Sequence, residues 1–276
     1  MAPSAPSPSA LTLRDAVALS GRFPLLAGVD LEVARGETVL VEGPNGAGKT
    51  SLLRVCSGLV PLASGQLSVL GLDPSRQRNR VRRRVGLLSH ASHLYDDLTV
   101  RENVRFAVRA AGGDSRRSDG ACDRLGLTGR LLKTGAGKLS AGQRRRVALA
   151  VLTARWPELW LLDEPHAGLD ASTRATLNEL IAEASASGAT VLLVSHESEF
   201  VGSLAPRVVT VTGGRVTSDR WVGPGGSPVE RTPAVQPDPA EPRATVAPPV
   251  PGLEPEPPAR VTVADPDHRG AVTHVA

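Results

Sequence analysis

The sequence predicts an α/β fold with a mostly parallel sheet core, an antiparallel edge sheet and a helical subdomain. Three observations carry that expectation. Short runs rich in Val and Leu, at 38–42, 159–163 and 190–195, each end in a polar cluster, as strands of an open α/β sheet do where ligands collect. A glycine-rich stretch at 43–48 separates the first run from a helical segment. The composition changes near Gly223, beyond which lie more than half of the chain's 23 prolines and no helical period.

Taken in order, residues 1–10 are rich in Pro, Ser and Ala and read as a disordered leader, with neither the basic nor the apolar region of a secretory signal. Residues 11–222 form the folded unit, for which 276 residues with 41% hydrophobic content supply an adequate core. Within it, 11–19 and 29–33 read as antiparallel edge strands, and 208–216 as a hairpin turning at Gly213-Gly214. The stretch 97–155 reads as mainly helical, broken at Gly112-Gly113 and at 135–137. Residues 223–276 read as a Pro-rich disordered tail without chemistry.

Composition excludes several classes. The two cysteines, Cys56 and Cys122, lie far apart without a partner at ligand spacing, which argues against a disulfide framework or a zinc site and for small buried apolar residues. A net charge of +4 raises nucleic acid or anionic lipid as partners. However, the one dense basic run, Arg76 to Arg84, reads as a solvated helix face, and aromatics make up only 3% of the chain, so nucleic acid is not an expected partner. No run approaches the roughly 18 apolar residues of a spanning helix, so a transport path would have to come from another polypeptide.

Gly43-Pro44-Asn45-Gly46-Ala47-Gly48-Lys49-Thr50 matches the phosphate-binding loop pattern between a strand and a helix that opens at Ser51. Glycines let the backbone curl so that several amides face one anion, and a helix N-terminus adds positive potential. Lys49 would then reach the β and γ phosphates, and the Thr50 hydroxyl would ligate Mg²⁺. Leu159 to Glu164 is an apolar run ending in two carboxylates; Asp163 is placed to hold the metal through water, and Glu164 to act as general base toward an attacking water. Without the upstream loop, such a pair would read as a helix-capping turn. Ser140 and Gln143 have the spacing of a capping box that opens an apolar-faced helix.

These motifs together resemble the ATP-binding cassette (ABC) family. Leu139-Ser140-Ala141-Gly142-Gln143 stands where the family carries its signature, with Ala141 in place of the usual glycine. Ala167 to Asp170 stands where its D-loop lies, and His196 where its switch histidine lies. The resemblance implies that His196 contacts the γ phosphate. It implies that Ser140, Gly142 and Gln143 meet the nucleotide of a second cassette, paired head to tail as a homodimer. It also implies an integral membrane permease as partner and a peripheral place on the cytoplasmic face of the bacterial membrane. Beyond Ala141, two features depart from the family. His90 replaces a metal-contacting glutamine, and no clear counterpart exists for the aromatic that stacks on adenine; Phe23 is the nearest candidate, with core packing as its other reading.

Among ABC proteins, His90, Ala141 and Leu94 to Asn103 are similar to the ATP-binding subunit of the haem exporter of cytochrome c maturation. That resemblance implies haem export, with no haem bound by this chain itself, since no haem-attachment signature is present. Exporters of lipid, drug or polysaccharide share the same ATP chemistry and stay open as alternatives. A soluble ABC protein acting on ribosomes or DNA would carry two cassettes or a coiled-coil insertion, and a nucleotide-binding scaffold would not need Glu164.

Overall fold

The computed structural model describes residues 9–195 and 205–222 and the backbone of Pro228–Val229. Two sheets form. The first is antiparallel, with β1 (Ser9–Ser20) between β2 (Phe23–Ala34) and β4 (Ser64–Val69). The second has seven strands: β10 (Pro228–Val229), β9 (Arg215–Val222), β8 (Arg207–Thr212), β3 (Thr38–Glu42), β7 (Thr190–Val194), β6 (Leu159–Asp163) and β5 (Val85–Leu88), neighbours in that order. The strands from β8 to β5 are parallel; β9 and β10 add antiparallel pairs.

The three predicted runs occupy β3, β7 and β6 at the centre of this sheet, where both faces are buried. Side chains alternate between faces: Leu159 and Leu161 pack toward β1, β2 and helix α1 (Lys49–Cys56), and Trp160 and Leu162 toward the helices of the other face. A strand covered on both sides must be apolar throughout, which is why these segments read as continuous Val/Leu runs. The predicted helical stretch contains α3 (Val100–Ala110), α4 (Arg117–Arg124) and α5 (Ala141–Arg155), with 3-10 turns at Gly129–Lys133 and Ala136–Lys138. The Arg run forms α2 (Arg78–Arg84), exposed except for Val81, which turns inward, and Arg84, which pairs with Glu158. Helix α6 (Ala171–Ala186) follows β6.

Two sequence boundaries need correction. Ser9 and Ala10, assigned to the leader, begin β1; Ala10 is fully buried and its carbonyl accepts the Leu70 amide at 2.7 Å. Pro228 and Val229, assigned to the tail, pair with Val222 and Trp221 of β9. The remaining leader and tail residues lie outside the described residues. Burial pushes the Cys56 thiol up to about 12 and the Cys122 thiol up to about 11, so both stay protonated near neutral pH and behave as the small apolar groups that the sequence suggested.

At the far end of the sheet from the candidate site, Arg207 bridges β8, β9 and the start of β3. Its guanidinium donates to Glu37 at 2.8 Å and to both oxygens of Asp219 at 2.8 and 2.7 Å, with its side chain 10% exposed. Replacing one member leaves the others desolvated without a counter-charge. Arg207→Met is expected to lower unfolding free energy by about 2 to 3 kcal/mol, read from urea titration. An unchanged midpoint would show the triad to be dispensable.

Candidate functional site

Three strands of the parallel sheet, β3, β6 and β7, end on one edge, and the glycine-rich loop, Lys49, Thr50, Asp163 and Glu164 gather there. After β3 the chain enters the loop 43–48. Gly43 has φ +142, and a Cβ on it would lie 2.0 Å from the Val211 carbonyl oxygen, so only glycine lets the loop pass this close to β8. Gly48, at φ +106, caps α1 with no room for a side chain against the Leu25 carbonyl. The hairpin turn between β8 and β9 braces the loop from behind: the Gly214 amide donates to the Ala47 carbonyl at 2.8 Å, and the Ala27 amide donates to Gly214, also at 2.8 Å.

The first turn of α1 carries Lys49, Thr50 and Ser51, whose amides have no intrahelical acceptor and are available to an anion. Lys49, 7% exposed, folds back so that its Nζ donates to the carbonyls of Gly43 at 2.7 Å and Pro44 at 3.0 Å. This holds an ammonium over the concave face of the loop, with Asn45 and Gly46 at its exposed rim.

Asp163 closes β6, buried, and its Oδ2 accepts the Thr50 hydroxyl at 2.9 Å. A hydroxyl and a carboxylate so placed are hard oxygen donors beside a phosphate cradle. Among the described residues no cluster of three His, Cys, Asp or Glu side chains gathers to bind a metal unaided. That combination suits Mg²⁺, which keeps waters and takes phosphate oxygens for its remaining positions. Glu164 follows in the left-handed region at φ +44, its amide donating to the Val194 carbonyl at 3.0 Å. The sharp turn lifts its side chain out of the strand's alternation, half-buried, next to the Asp163 group.

The signature segment sits elsewhere on the domain. Ser140 caps α5: its Oγ accepts the Gln143 amide at 3.2 Å, and Gln143 Oε1 accepts the Ser140 amide at 2.9 Å, the predicted reciprocal box. Ser140, Gly142, Gln143 and Arg146 share an open cleft with Gly168, Leu169 and Asp170. Asp170 in turn caps α6; the Thr173 amide and hydroxyl and the Ser172 hydroxyl pull its carboxyl down to about 2. Among the described residues no hydrogen bond joins Gly43–Ser51 to Ser140–Gln143, and the cleft at Ser140 is lined by none of the loop residues.

Other sequence candidates fare differently. His90 is exposed two residues beyond β5, and its ring makes no hydrogen bond to Thr50 or Asp163. His196 lies outside the described residues; Ser195, just before it, is buried at the end of β7. Phe23 is 77% exposed at the start of β2, which overturns core packing as its role. The strand presents this ring to solvent two residues before Leu25, whose carbonyl abuts Gly48.

Sequence reasoning missed Arg145. It is 9% exposed, and its guanidinium donates to the carbonyls of Ser89, Asp163 and Glu164. A signal was present: Arg145 precedes the buried Leu149 by one helical turn, which places it on the inward face of α5 and apart from its neighbours in the Arg triplet.

Comparison with known proteins agrees with this geometry. Residues 26–167 match the family described as ABC transporter. The chain is 40% identical over 190 residues, 62% of its length and 83% of the relative's, to the cytochrome c biogenesis ATP-binding export protein CcmA of Paraburkholderia xenovorans. It is 37% identical over 214 residues, 76% of its length and 68% of the relative's, to the daunorubicin resistance ATP-binding protein DrrA3 of Streptomyces coeruleorubidus. A solved structure described as the ATP binding subunit of an ABC transporter superposes with a TM-score of 0.72 at 27% identity, covering 77% of this chain and 90% of that one.

Proposed function

The chain belongs to the ABC transporter family, and from that premise we propose that it is the Mg-ATP-hydrolysing subunit of an exporter, with haem export for cytochrome c biogenesis as the transport it drives. The observation that carries the ATPase reading is the 2.9 Å approach of the Thr50 hydroxyl to Asp163 beneath a loop whose only ammonium is Lys49, with Glu164 next in the chain.

In this reading the loop amides of 43–48 and the first turn of α1, through Ser51, bind the α and β phosphates, and Lys49 exchanges its carbonyl partners for β and γ phosphate oxygens. Thr50 directly and Asp163 through water would hold Mg²⁺, which would supply positive charge against the phosphate oxygens. Glu164 takes the proton of a water whose oxygen bonds to the γ phosphorus as the bond to the bridging oxygen breaks, leaving ADP and phosphate. His196 would orient that water, a role that rests on the family resemblance; His90, standing where the family has a glutamine, would reach the metal through water.

Because the signature cleft and the phosphate loop stand apart within one chain, a second copy is proposed to supply Ser140, Gly142 and Gln143 to the γ phosphate, forming a homodimer around two nucleotides. No described helix is long and apolar enough to cross a membrane, and an integral permease is the proposed second partner, which would hold the protein on the cytoplasmic face. Phe23 is proposed as the adenine platform. Phe23→Ala should raise the KM for ATP about tenfold with kcat little changed, since base–aromatic stacking is worth roughly 1–3 kcal/mol; an unaltered KM would remove it.

The cargo has a second reading, drug export, favoured by the greater share of this chain that the daunorubicin resistance relative matches. Affinity purification of the tagged protein from its own membranes, with identification of the permease that accompanies it, separates the two. A permease of cytochrome c maturation supports haem export. A drug-efflux permease replaces that reading with the second, and recovery without any membrane protein overturns both.

A further inference from the structure

Arg145 is a buried cation without a carboxylate partner among the described residues. Its Nη1 donates to the Ser89 carbonyl, where β5 ends, and its Nη2 donates to the carbonyls of Asp163 at 3.1 Å and Glu164 at 2.7 Å, where β6 ends. Burial pulls its pKa down while the charges of Asp163 and Glu164 push the other way; an arginine stays protonated under such opposition. Desolvating a guanidinium to satisfy three main-chain oxygens is an expensive way to fill a core position, and its geometry indicates what it accomplishes.

Two peptide planes flank the Glu164 Cα. The plane before it is pinned on both sides: the Glu164 amide donates to Val194, and the Asp163 carbonyl accepts from Arg145. The plane after it is pinned at the Glu164 carbonyl, again by Arg145. With both planes fixed, the direction of the Cα–Cβ bond is fixed too, at a φ of +44 that a glutamate adopts only when its surroundings enforce it. Arg145 also belongs to the helix that Ser140 opens, and the residue before it, Arg144, ties the same turn to Asp96 at 2.7 Å and to the Ala136 carbonyl at 2.9 Å. The first two turns of α5 are therefore joined at once to the carboxylate turn and to the segment that follows β5.

We propose that Arg145 is a positioning residue that locks the aim of Glu164 to the seating of the signature helix, so that the carboxylate is in line for its water only while the N-terminal turns of α5 hold their place. The inference deepens the ATPase reading and rests on Glu164 acting as the base. A helix end that meets the nucleotide of a second cassette thus has a direct mechanical connection to the base of its own chain.

The test compares the full-length wild type with Arg145→Lys, Arg145→Met and Glu164→Gln, and with Arg145→Met combined with Glu164→Gln. Steady-state kcat and KM for Mg-ATP are measured beside equilibrium binding of a fluorescent ATP analogue and the melting temperature. Misplacing a reacting group by about 1 Å costs about 100-fold in rate. Arg145→Met is expected to lose about that much kcat, with analogue affinity within about threefold of wild type. Arg145→Lys, which keeps the charge but reaches fewer carbonyls, should fall between. Single-turnover rates of the double variant should match those of Glu164→Gln alone, because removing the base leaves nothing for Arg145 to aim.

Should Arg145→Met fail to fold, Arg145→Lys carries the same comparison. A kcat within threefold of wild type in Arg145→Lys and Arg145→Met, parallel loss of kcat and affinity, or additive losses in the double variant would overturn the proposal and assign Arg145 to the core. Absence of turnover in the wild type would instead overturn the ATPase reading beneath it.

Discussion

Glu164→Gln is expected to bind Mg-ATP as well as the wild type and to hydrolyse it about a thousandfold more slowly, the middle of the range for removing a general base. The amide keeps the volume of the side chain and its place at the turn after β6, so the pinned backbone around it stays as it is. What disappears is a group able to accept the water's proton as its oxygen bonds to phosphorus. The phosphate loop, Lys49 and the Thr50–Asp163 pair are untouched, so affinity is preserved. If a second cassette closes over the bound nucleotide, the variant accumulates as an ATP-bound dimer that elutes ahead of the monomer in size-exclusion chromatography and reverts when EDTA removes the metal. Wild-type turnover in this variant would remove Glu164 as the base, and with it the role proposed for Arg145.

What could be read from sequence was what depends on local spacing. The strand–loop–helix order around Lys49, the apolar run delivering Asp163 and the reciprocal cap of Ser140 and Gln143 are each decided within about ten residues, and each stands in the structure, with the helix opening at Lys49, two residues before the expected Ser51. Features that depend on distant partners were not legible in the same way. Strand β4, with half of its residues exposed, pairs with β1 at the sheet edge, passing so close that a Cβ on Gly65 would meet the Asp15 carbonyl oxygen at 2.1 Å; nothing in Ser-Gly-Gln-Leu-Ser-Val announces a strand without that neighbour. The hairpin at Gly213-Gly214 was visible as a turn, but its bracing of Ala47 is a tertiary contact. Phe23 shows the opposite failure: hydrophobicity suggested a core position, and the location of the β1–β2 turn decided for exposure. Arg145 was hidden among three consecutive arginines, where composition suggests solvent and only helical phase separates one from the others.

Lys49→Ala is expected to fail one step earlier than Glu164→Gln, at binding. The ammonium is already desolvated, 7% exposed, and held by the Gly43 and Pro44 carbonyls within the ring of amides. Its reorientation toward phosphate therefore exchanges one set of charge-assisted hydrogen bonds for a stronger one, without the full desolvation penalty that a solvent-exposed lysine would incur. Hydrogen bonds to charged groups are worth about 1.5–3 kcal/mol each, so losing the contacts to the β and γ phosphates weakens Mg-ATP affinity by at least about 100-fold, measured by calorimetric titration. The same change leaves the Gly43 and Pro44 carbonyls without their donor, and the loop, shaped by a glycine that admits no side chain, loses a restraint at its concave face. Adding ADP separates the two effects. If the lysine serves the γ phosphate most, ADP affinity falls less than ATP affinity; if it chiefly holds the loop in shape, both fall alike. Mg-ATP bound by Lys49→Ala as tightly as by the wild type would mean that the ammonium does not face the triphosphate, and the cradle reading of Gly43 to Ser51 would go with it.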